Sequence, residues 1–306
     1  MSFGRKAAFL LDRTAVLFIG LAFGAIITWA FVAGSDASTP EGSAPAAVAG
    51  TPAAGPEAAA TPAAPAEIAT VSTPRLAAAG AEGRKIHVGV FGDSFGDGIY
   101  SALYQQLRGR ENFEVHKFSH QATGFTRYRT TNLLDDTRRR IDAQPVDIAV
   151  MSFGANDMQG VYVDGRGSEF MSDRWKEIVS GRVREIVDLL RARGAAVYWV
   201  GLPKMREAEY DGNVRQMNAF YTQLMGQLGV PFVDTVPASV DSNGAYSAYL
   251  IDDDGERFNA RAHDGIHMTF RGYSRLTRRL ADRIIASVPA PPESQQAAGN
   301  NSGSRG

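Results

Sequence analysis

The chain contains no cysteine. That excludes disulfides, thiolate metal sites and a thiol nucleophile. It also lacks an excess of either charge: 32 Lys and Arg against 33 Asp and Glu leave a net charge of −1. A sequence-independent grip on nucleic acid needs a basic surface, so no such partner is expected. Large apolar residues are scarce across 35–83, which consist almost wholly of Ala, Pro, Gly, Ser, Thr and Glu. So little apolar surface cannot offset the entropy of ordering, and the segment reads as a disordered, semi-stiff spacer. Residues 289–306 read as a disordered tail on the same ground.

Charge is wholly absent from 14–33. About 20 apolar residues cross a hydrocarbon core of roughly 30 Å as a helix. Arg5, Lys6 and Arg13 precede the run, and no Lys or Arg follows until Arg75. The positive-inside rule then keeps the N-terminus cytoplasmic and sends the remainder outward. The run exceeds the ~7–15 residues of a signal-peptide core, and Ala33-Gly34-Ser35 is a mediocre cleavage site. Residues 1–34 therefore read as a cytoplasmic N-terminus with a single inner-membrane anchor, the remainder being periplasmic. Secretion after signal cleavage is the alternative.

Residues 84–288 carry the pattern of a folded domain. Short apolar runs at 86–91, 113–118, 146–153, 196–202 and 231–234 read as strands. Amphipathic segments at 98–108, 131–143, 173–193, 214–228 and 270–287 read as helices. The alternation predicts an α/β fold with an open, mostly parallel sheet covered on both faces. Such sheets bind ligands at the carboxyl ends of their strands.

Four short islands stand out: Gly92-Asp93-Ser94, Gly124, Gly154-Ala155-Asn156-Asp157, and Asp264-Gly265-Ile266-His267. The first three follow predicted strands. Each alone is an ordinary turn. Together they supply a hydroxyl nucleophile, a base, a carboxylate to orient it, and donors for a developing oxyanion. Ser94 would attack a carbonyl carbon. His267 would take its proton and return it to the leaving alcohol, and Asp264 would fix the imidazole tautomer. The Ser94 and Gly124 backbone N–H groups and the Asn156 side-chain amide would hold the oxyanion. Asp93 and Asp157 read as residues that hold loops through backbone bonds.

In order and spacing, the four blocks resemble the SGNH (GDSL-like) hydrolase superfamily. The overall layout, with an N-terminal anchor and a Pro/Ala-rich spacer ahead of the blocks, also resembles that superfamily's exported, membrane-anchored bacterial members. The resemblance covers the folded part alone. It implies a flavodoxin-like three-layer α/β/α sandwich with about five strands and a serine-esterase activity. One departure is Phe95, where the original motif has leucine.

Arg127, Tyr128, Arg129 and Tyr162 lie in segments expected to rim the site, facing an anionic or sugar-like substrate. The expected substrate is an acylated glycan or a small ester. An acyltransferase using the same acyl-enzyme and an inactive glycan-binding domain are the alternatives. His87, His116 and His120 read as structural, and the acidic run 252–254 as a solvated turn. No metal or cofactor is expected.

Overall fold

The computed structural model describes residues 67–289. The predicted anchor at 14–33, spacer residues 35–66 and tail residues 290–306 lie outside them. Among the described residues no helix is long and apolar enough to cross a membrane.

Five parallel strands form the central sheet: β1 (Ile86–Gly92), β2 (Phe113–Lys117), β3 (Ile148–Ser152), β6 (Ala196–Val200) and β7 (Phe232–Val233). Their spatial order is β2-β1-β3-β6-β7, the flavodoxin-like order, with its switch point between β1 and β3. Every residue of β3 and β6 is buried. That is why these strands read as continuous apolar runs rather than alternating ones. The predicted α/β class and five-stranded parallel sheet are borne out.

Between the strands run α2 (Ser94–Leu107), α3 (Leu133–Ala143), α4 (Asp173–Ala192) and α5 (Ala208–Leu228), and α6 (Phe270–Ala286) is the last helix among the described residues. The apolar spacing in α4 places Trp175, Val179, Val183, Ile186, Val187 and Leu190 in the core.

Three features differ from the sequence reading. Residues 35–83 were expected to be a spacer, but α1 (Pro74–Ala81) is folded onto the domain. The Thr73 hydroxyl caps it by accepting from the Leu76 N–H, and Pro74 opens its first turn. Leu76 and Ala79 are fully buried. Arg75 and Arg84 both reach the buried Asp147 carboxylate, at 2.7 and 2.8 Å. Second, α2 and α5 begin four and six residues earlier than expected, because Asp93 and Glu207 cap them. Third, two antiparallel hairpins were not foreseen. They are β4 (Val161–Val163) with β5 (Arg166–Ser168), and β8 (Tyr249–Ile251) with β9 (Arg257–Asn259). The acidic run 252–254 turns the second, where Asp252 Oδ1 accepts from the N–H groups of Asp254 and Glu256.

Candidate active site

Ser94 is the first residue of α2, separated from the end of β1 by Asp93 alone. Its side chain therefore emerges at the carboxyl edge of the sheet, and its backbone N–H is one that no helical carbonyl can take. Asp93 shapes the turn, with Oδ1 accepting from the Phe95 N–H at 2.9 Å.

His267 arrives from the other end of the sequence. Its Nε2 is 2.8 Å from Ser94 Oγ, and its Nδ1 is 2.7 Å from Asp264 Oδ2. Asp264 Oδ1 accepts from the backbone N–H groups of Ile266 and His267 at 2.8 and 3.0 Å. Burial would raise the Asp264 carboxyl. The hydrogen bonds from His267 and these two backbone groups outweigh it and hold the carboxyl below its ordinary value. A carboxylate that stays charged keeps the proton on Nδ1 and leaves Nε2 to accept from Ser94. Phe95, buried to 1 % exposure, stacks on the imidazole with centroids 5.2 Å apart and planes 24° apart. The ring in place of the motif's leucine fixes the plane of the base.

The Asn156 side-chain amide donates one hydrogen to the Thr123 carbonyl at 3.1 Å. An amide has two such hydrogens. Gly124 has an extended backbone. Glycine is required there by crowding: a Cβ would stand 2.5 Å from Asp157 Oδ1. That same oxygen accepts from the Thr126 N–H and hydroxyl at 2.7 and 2.8 Å. Asp157 thus holds the 124–126 turn in place, and Asp93 and Asp157 anchor loops as expected.

Asp93 and Asp157 are both fully buried, and the Oδ2 of each lacks a partner of hydrogen-bonding geometry. The neighbouring Asn156 amide favours the charged form of Asp93. Burial, with Asp157 adding to it, pushes the Asp93 carboxyl up to about 7. Burial raises Asp157 as well.

Two contributors were missed by sequence reasoning. Arg206, in the loop after β6, donates from Nη1 to the His263 carbonyl at 3.0 Å and from Nη2 to the Asp264 carbonyl at 2.9 Å. Its backbone N–H donates to the Gly265 carbonyl at 3.1 Å. Gly265 has φ +75°, and a Cβ there would lie 2.5 Å from Arg206 Nε. One arginine therefore clamps the loop that carries Asp264. Tyr210, in the first turn of α5, donates to the Ala155 carbonyl at 3.2 Å. Burial, with Asp93 and Asp264 nearby, pushes its phenol up to about 12.

The expected rim divides. Tyr162 stands 56 % exposed on β4. Arg127 is turned back to donate to the Ala122 carbonyl at 3.1 Å. Tyr128 is not a rim residue. Its ring packs beside Phe125 and beneath the Arg182 guanidinium, 4.2 Å away, and burial raises its phenol.

Among solved structures, a GDSL-like lipase from Bacteroides thetaiotaomicron aligns at 14% identity. The match covers 66% of this chain and 89% of that one, with a TM-score of 0.47. A catalytic mutant of an acetylxylan esterase from Geobacillus stearothermophilus aligns at 15% identity over 66% of this chain and 94% of its own, with a TM-score of 0.47. No curated protein matches the sequence. The model of the family described as "Protein of unknown function (DUF459)" matches residues 87–283, from the start of β1 into the last turns of α6. The chain therefore belongs to that family.

Proposed function

We propose that the protein is an exported serine esterase that removes O-acyl groups, O-acetyl foremost, from envelope carbohydrate. One observation carries the reading: the unbroken chain of hydrogen bonds from Ser94 Oγ through the His267 ring to Asp264, at 2.8 and 2.7 Å. A serine hydroxyl is a poor nucleophile near neutral pH without a base within reach. As Oγ attacks the ester carbonyl, His267 Nε2 takes its proton. Asp264 stabilises the imidazolium that results. The negative charge that forms on the carbonyl oxygen falls to the Ser94 and Gly124 N–H groups and to the second hydrogen of the Asn156 amide. The N-terminal dipole of α2 favours charge at the same place. Collapse of the tetrahedral intermediate expels the alcohol, which receives the proton from His267. Water then repeats the sequence on the acyl-enzyme.

Export rests on the uncharged run 14–33 and the basic residues ahead of it. The glycan substrate rests on that location and on the polar segment 155–172, where Tyr162 stands exposed. The test is acetate release by the purified full chain from O-acetylated polysaccharide and from O-acetylated peptidoglycan. Wild type should release acetate, and Ser94→Ala should lower the rate by at least about 10³-fold. Equal rates for the two would remove the serine mechanism. Hydrolysis of simple esters with none of either glycan would leave the mechanism and remove the carbohydrate assignment.

A further inference from the structure

Toward the opposite end of β1, three side chains able to bind a metal share one face of the sheet. Glu114 stands directly across from His87, and His116 across from Gly89. Side chains along a strand alternate with a period of two, so Glu114 and His116 project from the same side of β2. Gly89 places no side chain between the imidazoles, and they meet: His87 Nδ1 is 2.9 Å from His116 Nε2. The ring centroids are 5.1 Å apart and the planes 19° apart. Glu114 Oε1 lies 4.0 Å from the same His116 nitrogen, and the Gln144 amide nitrogen 3.4 Å from it. The ligating atoms of His87, Glu114 and His116 all fall within 4.8 Å of one another.

We propose that His87, Glu114 and His116 bind a divalent transition-metal ion of the zinc class. Two nitrogens each ~2.0–2.1 Å from such an ion, at right to tetrahedral angles, stand roughly 2.9–3.4 Å apart. The imidazoles therefore need to open by no more than a few tenths of an ångström. Glu114 must swing in by about as much as a rotamer adjustment supplies. Its side chain is 43 % exposed, and its Oε2 lies 3.7 Å from Lys85 Nζ. Two imidazoles and one carboxylate suit zinc, nickel or copper, and do not suit magnesium or calcium, which prefer all-oxygen sets. With no ion, two ring nitrogens this close must share a proton. The ion takes its place, and the ring that donated it carries its hydrogen on the other nitrogen instead.

The role is structural. β2 is an edge strand, hydrogen-bonded to β1 alone. An ion held by one residue of β1 and two of β2 would tie that edge to the sheet. The seven residues from His87 to Ser94 place the site on the order of 20 Å from the nucleophile, so the ion takes no part in acyl transfer.

The experiment uses the untagged full chain, stripped with chelator. Zn²⁺ and, separately, Mg²⁺ are titrated in by calorimetry, with thermal unfolding followed in parallel. Zn²⁺ should bind at about one ion per chain and should raise Tm by several degrees, while Mg²⁺ does neither. His87→Gln and Glu114→Gln, at partly exposed positions, should lose the Tm shift. His116→Ala should lose it as well, but His116 is buried, so His87→Gln decides if that variant fails to fold. His267→Ala should retain the shift, since His267 and its partner Asp264 lie outside the cluster. No zinc-dependent shift in wild type, a shift that survives His87→Gln, or one lost in His267→Ala would each overturn the assignment.

Discussion

Asp93 illustrates what a residue beside a nucleophile costs the fold. Its folded pKa of about 7 lies above the ~3.9 of an exposed aspartate. Between those values the folded protein keeps a proton that the unfolded chain has released. Stability therefore falls as pH rises through that window, and the penalty is complete above about 7. Asp93→Asn removes the charge while keeping the acceptor for the Phe95 N–H. The variant should outlast wild type at pH 8 by an amount on the order of a few kcal/mol, and the gap should close toward pH 4. Thermal unfolding of both proteins across that range checks this, and a gap of constant size would refute it. Arg206 is the other residue with a measurable consequence. Removing its fork frees the loop carrying Asp264 while leaving the substrate side of the site intact. Arg206→Ala should lower kcat roughly 10–100-fold with little change in KM, and Arg206→Lys, a point charge without the fork, should recover only part of it. A change in KM alone would assign Arg206 to substrate binding. At this scale the sequence was informative where chemistry demands a residue type: Ser94, His267 and Asp264, which the fold brings within hydrogen-bonding distance, were legible for that reason. Arg206 and Tyr210 act through backbone carbonyls of distant residues, and no local pattern marks them.

Elements were legible where periodicity was strong and obscured where composition misled. The strands and α4 announce themselves as apolar runs and as spacings of three and four. The α1 segment does not, because alanine serves equally as spacer filler and as the best helix former. What distinguishes it is Thr73-Pro74 at its start and one leucine. Leu76 is fully buried, so Leu76→Ala should destabilise the domain by about 2–5 kcal/mol. Denaturant unfolding measures this, and a loss under about 0.5 kcal/mol would show that α1 is not part of the cooperative unit. The β4–β5 and β8–β9 hairpins were missed for a different reason. Strands of three residues are too short for alternation to register. The early starts of α2 and α5 follow from caps, Asp93 and Glu207, that also read as ordinary turn residues.

Across the whole molecule, the order β2-β1-β3-β6-β7 explains why four islands far apart in sequence can become one site. Parallel strands end on the same edge, so the loops after β1, β2 and β3 converge there, and the segment leading into α6 places His267 Nε2 within 2.8 Å of Ser94 Oγ. The convergence could be inferred from strand–helix alternation, whereas the distances required the fold. The most direct measurement is labelling of the full chain with a fluorophosphonate, read by mass spectrometry. One adduct per chain, on Ser94 and absent from His267→Ala, is the predicted result. No adduct on Ser94, or equal labelling of wild type and His267→Ala, would contradict a serine activated by His267.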